Sequence, residues 1–308
     1  MSEPNNTTAR PTAAKSDEPW TVGRLLGWLT EDLRSRQIES PRLEAELLLG
    51  EALACDRIRL IVDRDRVLEE GELARLRALV QRRRKREPVA YLRGEREFYG
   101  RSFRVDRRVL VPRPDTETLV EVALRRSRDR SMFGRLLDLC TGSGNVAISF
   151  ARERPTWRVD GTDLSEDALA VARDNAMRLG ALWNVRFKHG DLFQAIEPHD
   201  LYEVIIANPP YIPRAEIEQL APDIREHEPR MALDGGEDGL DLIRLIASGA
   251  PAHLVEGGLL AMEIGVDQPE AVQALLQQAG FCEIEIDRDL ASRPRVVSGV
   301  WPGAQLSA

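Results

Sequence analysis

The chain has 308 residues, 43% hydrophobic and 31% charged, with 51 acidic against 43 basic side chains and a formal net charge of −8. That is an ordinary soluble composition for about two domains, and its acidic balance disfavours a stable nucleic-acid partner, because non-specific affinity comes from phosphate neutralisation by Lys and Arg. No apolar run nears the roughly 20 residues a bilayer span needs, and Cys55, Cys140 and Cys282 have neither metal-ligand spacing nor the even count of a disulfide framework; neither a membrane nor a metal is expected.

In chain order, residues 1–19 are polar and lack the apolar core of a signal peptide, so they read as a disordered tail of a cytoplasmic protein. Thr21 is placed to cap a helix whose Val22, Leu25, Leu26, Leu29 and Leu33 recur at helical spacing. Ser40-Pro41 reads as N-cap and N1 of a second helix carrying Leu43 and Leu47 to Leu49. A short apolar stretch follows, Ile58 to Val62. A long helix then runs from about Leu68 to Arg86 with Leu73, Leu76, Leu79 and Val80 on one face. Residues 20–89 thus form a small helical domain. The run Arg82-Arg83-Arg84-Lys85-Arg86 reads first as cations on a solvated face, complementing the dipole of a helix C-terminus, with contact to an RNA-bound or acidic partner as the alternative. Residues 90–112 read as a linker, with a hairpin predicted by Phe98-Tyr99-Gly100-Arg101 and the following Phe103, Val105, Val109 and Val111. From 113 to 302 strands and helices alternate, which predicts an α/β domain with a parallel sheet and crossover helices.

Two segments of that domain carry chemistry. In Leu136-Leu137-Asp138-Leu139-Cys140-Thr141-Gly142-Ser143-Gly144-Asn145-Val146-Ala147 a strand enters a glycine turn and then a helix. Glycine lets the backbone approach a ligand closely, and the helix start offers free N–H groups. A second strand, Trp157 to Gly161, ends at Asp163, about 20 residues past the turn, where a carboxylate accepts from nucleoside ribose hydroxyls. The turn also satisfies the loose pattern of nicotinamide enzymes, so alone it does not choose between cofactors. The second segment is Asn208-Pro209-Pro210-Tyr211, directly after the apolar strand Val204 to Ala207. Two prolines fix φ and remove two backbone donors, leaving carbonyl oxygens beside the Asn208 side-chain oxygen and the flat face of Tyr211. Such a turn is suited to holding a planar, conjugated –NH2 by both hydrogens.

Asp138, the Gly142/Gly144 turn, Asp163 and Asn208 to Tyr211 together resemble a class I S-adenosylmethionine-dependent methyltransferase that modifies amino groups. The closer resemblance is to the release factor glutamine methyltransferase family, through Val111 to Glu117, Glu228-Pro229-Arg230, Ala232 to Gly239 and Arg295-Val296-Val297. Cys140 stands where that family usually has Gly. The stretch Asp138 to Gly144 also resembles the sister family that methylates a large-subunit ribosomal protein, while Pro112 to Glu117 and Leu233 to Gly239 resemble the release-factor enzymes.

The resemblance implies a Rossmann-like seven-stranded sheet with one antiparallel strand near the C-terminus, and a helical domain that recognises the protein substrate. It implies S-adenosyl-L-methionine held by Cys140, Thr141, Gly142, Ser143, Gly144, Asp163, Asp191, Leu192, Phe193 and Asn208. The acceptor would be the glutamine of the Gly-Gly-Gln motif in peptide chain release factors, its –NH2 held by the Asn208 side-chain oxygen and the Pro209 carbonyl, with Pro210 shaping the turn and Tyr211 stacking on the amide. A methyltransferase for the exocyclic amine of adenine would use the same four residues, but would need base flipping and a basic strand-binding surface. The long connection from Pro213 to Gly239 reads as a lid or binding loop, with Glu228 and Arg230 as solvated charges unless they clamp the substrate.

Overall fold

A computed structural model describes residues 19–303; the expected tail, Pro19 excepted, lies outside the described residues. The chain packs as two compact units divided between Arg84 and Lys85. The first unit is helical: α1 (Val22–Ser35), α2 (Pro41–Leu53), α3 (Arg57–Val62) and α4 (Glu70–Arg84). Thr21 caps α1 as expected, accepting the Arg24 N–H at 3.3 Å, and Leu25, Leu26, Leu29 and Leu33 are buried. Ser40 makes no side-chain cap bond, so α2 starts on the fixed φ of Pro41 alone. The arginine run departs from a solvated stripe. The Arg83 side chain is 2% exposed and forks onto Glu44 of α2, at 2.6 and 3.1 Å. Arg84 donates twice to Asp32 of α1, at 3.0 and 2.6 Å. Both are spent holding helices together rather than facing a polyanion.

The second unit opens with α5 (Val89–Arg93) and a hairpin, β1 (Glu95–Phe98) and β2 (Arg101–Arg104). Tyr99 and Gly100 both have positive φ, 50° and 68°, as a two-residue hairpin turn requires. The hairpin is shorter than expected: Val105, Val109 and Val111 follow it in an irregular strap. Next come α6 (Glu117–Arg126), β3 (Arg135–Leu139), α7 (Asn145–Glu153), β4 (Arg158–Asp163), α8 (Glu166–Arg178) and β5 (Val185–His189). The chain then forms β6 (Tyr202–Ala207), α9 (Pro222–Arg225), α10 (Asp241–Gly249), β7 (Leu254–Glu263), α11 (Pro269–Gln278), β8 (Cys282–Arg288) and β9 (Pro294–Val300).

The seven strands lie in the order β5-β4-β3-β6-β7-β9-β8, and β9 runs antiparallel to both neighbours. Side chains alternate across the sheet, so Leu136, Val204 and Ile206 face one layer while Leu137, Ile205 and Ala207 face the other. Residues of α6, α7 and α8 close the first layer, and those of α10 and α11 the second. This is why β6 reads as a continuous apolar run: both its faces are covered. Each such buried Leu or Ile contributes about 1.5–3 kcal/mol. The strap packs Val105, Val109 and Val111 on Ala168 and Val171 of α8 and is pinned by the Tyr91 hydroxyl donating to the Val109 carbonyl at 2.6 Å.

Candidate active site

Four parallel strands end level at one edge. Leu139 of β3 pairs with Thr162 of β4 and with Ala207 of β6, and Asp163 pairs with His189 of β5. From β3 the chain winds outward through β4 and β5, then returns to the other side of β3 as β6. The crevice at that reversal is where open α/β sheets bind ligands. A cavity there is lined by Cys140, Thr141, Gly142, Ser143, Asp163, Asp191, Leu192, Asn208 and Pro210 from the expected residues, and also by Thr116, Leu164, Pro229 and Met231.

Three residues of the β3–α7 turn have positive φ: Cys140 (58°), Gly142 (54°) and Gly144 (76°). Cys140 therefore occupies a conformation that glycine adopts freely and other residues at a cost of about 1–2 kcal/mol. A Cβ at Gly142 would meet nothing within 4 Å, so its glycine leaves cavity space open as well as satisfying φ. Gly144 is the N-cap of α7 and not on the cavity wall; a Cβ there would press on Ile148 and Phe187 at 3.0 Å. Beneath the turn, Asp138 is 2% exposed and takes the Thr141 hydroxyl at 2.6 Å and the Ala147 N–H at 3.2 Å on one oxygen. Burial pushes its carboxyl up to about 7, against the pull of those two donors.

Asp163 receives the Gly142 N–H on one oxygen and the Ser165 N–H on the other, both at 2.9 Å. Each oxygen keeps a lone-pair site for a further donor. Burial raises this carboxyl while the two N–H groups oppose it. Asp191 stands at the N-cap of the short turn Leu192–Ala195 without a side-chain bond to it, and Leu192 (φ 46°) and Leu164 present apolar faces to the cavity. Phe193 turns the other way. Its ring stacks on His253 at 5.0 Å, seats against Gly249 and packs, half-buried, on the apolar layer behind β6.

At the end of β6 the Asn208 Nδ2 donates to the Thr116 hydroxyl oxygen at 3.3 Å, which leaves Oδ1 as the free end of the carboxamide. Thr116 lies in a turn of 3₁₀ helix, Pro114–Thr116, just before α6, and its support of Asn208 joins positions too far apart for local sequence to reveal. Pro209 is buried and Pro210 lines the cavity. Tyr211 is not on the cavity wall: its hydroxyl donates to Glu263 at 3.2 Å and its ring packs with the apolar layer behind β6 and β7. The buried carboxylate of Glu263, which no motif announced, draws it inward.

The connection from Pro213 to Gly239 is a roof, tied at both ends. Ile212 bridges Asp234, with backbone bonds Ile212 N–H to Leu233 O at 3.1 Å and Gly235 N–H to Ile212 O at 2.9 Å. Glu228 is 6% exposed rather than solvated. It accepts Arg113 at 2.6 Å and the Val111 N–H at 3.2 Å, holding Pro229 and Met231 over the cavity.

Sheet order, the single antiparallel strand and a glycine turn at the switch point define a class I methyltransferase fold. A methyltransferase structure from Pyrococcus furiosus shares it with TM-score 0.50 and 17% identity, covering 74% of this chain and 98% of that one. Residues 115–237 match the family described as Methyltransferase small domain, and residues 24–94 that described as PrmC N-terminal domain. A release factor glutamine methyltransferase from Geobacter sulfurreducens is 44% identical over 282 residues, 92% of this chain and 97% of that protein. Another, from Bordetella pertussis, is 46% identical over 259 residues, 84% and 94% of the two. The chain belongs to the release factor glutamine methyltransferase family.

Proposed function

We propose that this enzyme transfers a methyl group from S-adenosyl-L-methionine to the side-chain amide nitrogen of the glutamine in the Gly-Gly-Gln motif of peptide chain release factors. The observation that carries the reading is the fixed Asn208 carboxamide, its Nδ2 committed to Thr116 and its Oδ1 left over, in the same cavity as the glycine turn and Asp163. The residues present fit the methyl donor. Asp163 has capacity for two hydroxyl donors, Gly142 leaves its side-chain volume open, and Leu164 and Leu192 offer apolar faces beside the acceptor Asp191. When bound, the donor supplies a methyl group on a positively charged sulfur, already activated for displacement.

The remaining work falls to the chain. A glutamine nitrogen is a poor nucleophile because its lone pair is delocalised into the carbonyl. Asn208 Oδ1 and the Pro209 carbonyl accept its two hydrogens and let the nitrogen pyramidalise toward the methyl. The new N–C bond forms as the C–S bond breaks, and the cationic amide then loses a proton to an adjacent oxygen or to water. Orientation is the main catalytic contribution, about 7–11 kcal/mol in favourable systems. The helical unit, with residues 20–89 as its proposed extent, takes substrate recognition; residues 90–112 are the linker and 113–302 the catalytic domain. The enzyme acts in the cytoplasm, where release factors work; among the described residues no helix is long and apolar enough to cross a membrane.

The test is transfer of labelled methyl to a purified release factor and to one lacking the Gly-Gly-Gln glutamine. Label on the first alone is expected. Label on neither, with donor binding intact, overturns the assignment and points to ribosomal protein or nucleic acid. Asn208→Ala is expected to lower kcat by roughly 10²–10³ with donor affinity retained.

A further inference from the structure

Behind Asn208 lies a buried polar cluster with no packing reason to exist. Thr116 and Glu263 are each 1% exposed. The Thr116 hydroxyl faces the Glu263 carboxylate at the end of β7 and accepts Asn208 Nδ2. Glu263 Oε1 accepts the Tyr211 hydroxyl, and Oε2 is buried with no hydrogen-bond partner. Arg295 of β9 supplies the nearby positive charge and donates to Asp115 at 3.1 Å and Asp289 at 3.2 Å. A buried carboxylate is costly, and an apolar or amide side chain would pack here with less penalty. Its presence points to a task.

A carboxylate can only accept. Oε2 has no donor in the structure, and the Thr116 hydroxyl beside Glu263 is free to turn its proton toward the carboxylate while its oxygen accepts the Asn208 –NH2. We propose that Glu263, acting through Thr116, is the positioning group that aims the oxygen of the Asn208 carboxamide at the substrate –NH2. The inference rests on the reading of Asn208 above and extends it to residues outside the Asn208 to Tyr211 motif. A neutral partner reverses the relay. A protonated acid or an amide at 263 donates to Thr116, Thr116 donates to Asn208 Oδ1, and the Asn208 –NH2 then meets the substrate donor to donor.

The groups facing Glu263 are Tyr211, Arg295, Asp115 and Thr116; burial outweighs Thr116, Arg295 and Tyr211 and pushes its carboxyl up to about 7. The relay therefore loses its polarity as pH falls through that value, giving kcat an acid limb there.

The experiment measures kcat and KM from about pH 5.5 to 9 for the native enzyme, Asn208→Ala, Glu263→Gln, Thr116→Val and Thr116→Ser. Donor affinity is measured by calorimetry on each. Glu263→Gln and Thr116→Val are expected to lower kcat roughly 10–100-fold with donor affinity within about twofold. Thr116→Ser, which keeps the hydroxyl, recovers kcat to within about threefold, and the acid limb disappears in Glu263→Gln. Native kcat and an unchanged limb in Glu263→Gln and Thr116→Val, with Asn208→Ala inactive, overturn the relay and leave the Asn208 reading standing. Native kcat in Asn208→Ala overturns both. Should Glu263→Gln fail to fold, the Thr116 pair decides: equal loss in Val and Ser marks a structural role and overturns the relay.

Discussion

Asp138 and Asp163 stand at the ends of neighbouring strands and do different work. Asp138 spends one oxygen on Thr141 and Ala147 and braces the glycine turn at the floor of the cavity. Asp163 spends one bond per oxygen and keeps capacity toward the cavity. The buried acid carries a pH signature. Its carboxyl is raised from 3.8 to about 7, so the folded state binds a proton that the unfolded state has released. That stability is present below about pH 4 and lost as pH rises through about 7; Glu263 acts in the same direction. Asp138→Asn is expected to flatten the decline in urea midpoint between about pH 5 and 8, a window above the titration of the surface carboxylates that arginines hold low. An unchanged slope would show that Asp138 is ionised throughout. At this scale the motif residues were legible because glycine, proline and Asn announce their backbone roles locally. Thr116 and Glu263 were not: the bonds that give them meaning join residues 92 and 52 positions apart.

Among the elements, helical periodicity located α1, α2 and α4 because apolar spacing of three and four residues marks one buried face. The same reading put the arginines at the end of α4 in solvent, since charge alone says nothing of a partner on another helix. Arg83 is instead the buried half of an ion pair with Glu44, whose side chain is 20% exposed. Removing one half strands the other, so Arg83→Ala is expected to cost about 2–3 kcal/mol. Thermal unfolding of the full chain checks this; a loss under about 0.5 kcal/mol would place the pair among surface bridges. The connection from Pro213 to Gly239 reads as a lid or binding loop, and it does cover the cavity; what the reading misplaced is Glu228, which is buried and, with its Arg113 partner and the bridge from Ile212 to Asp234, fastens the segment.

On the scale of the whole molecule, a methyl donor that binds only the folded state adds stability by mass action, about 2.7 kcal/mol at a hundred times its Kd. A corresponding rise in Tm is expected for the native chain and a much smaller one for Asp163→Ala at the same concentration, read by calorimetry. Equal shifts in both would remove Asp163 from the donor site. The sequence by itself determined the alternation of strands and helices, the glycine turn, Asp163 and the Asn208 turn, because these follow from short-range spacing and from residues with restricted or permissive backbones. Only the tertiary structure decided which side chains reach the cavity. It turned Phe193 and Tyr211 away from the cavity onto the apolar layer behind β6, buried Glu228 and Arg83 in ion pairs, and set Thr116 and Glu263 behind Asn208. Those outcomes depend on which partner each side chain meets once distant strands stand side by side, and local sequence carries no record of that meeting.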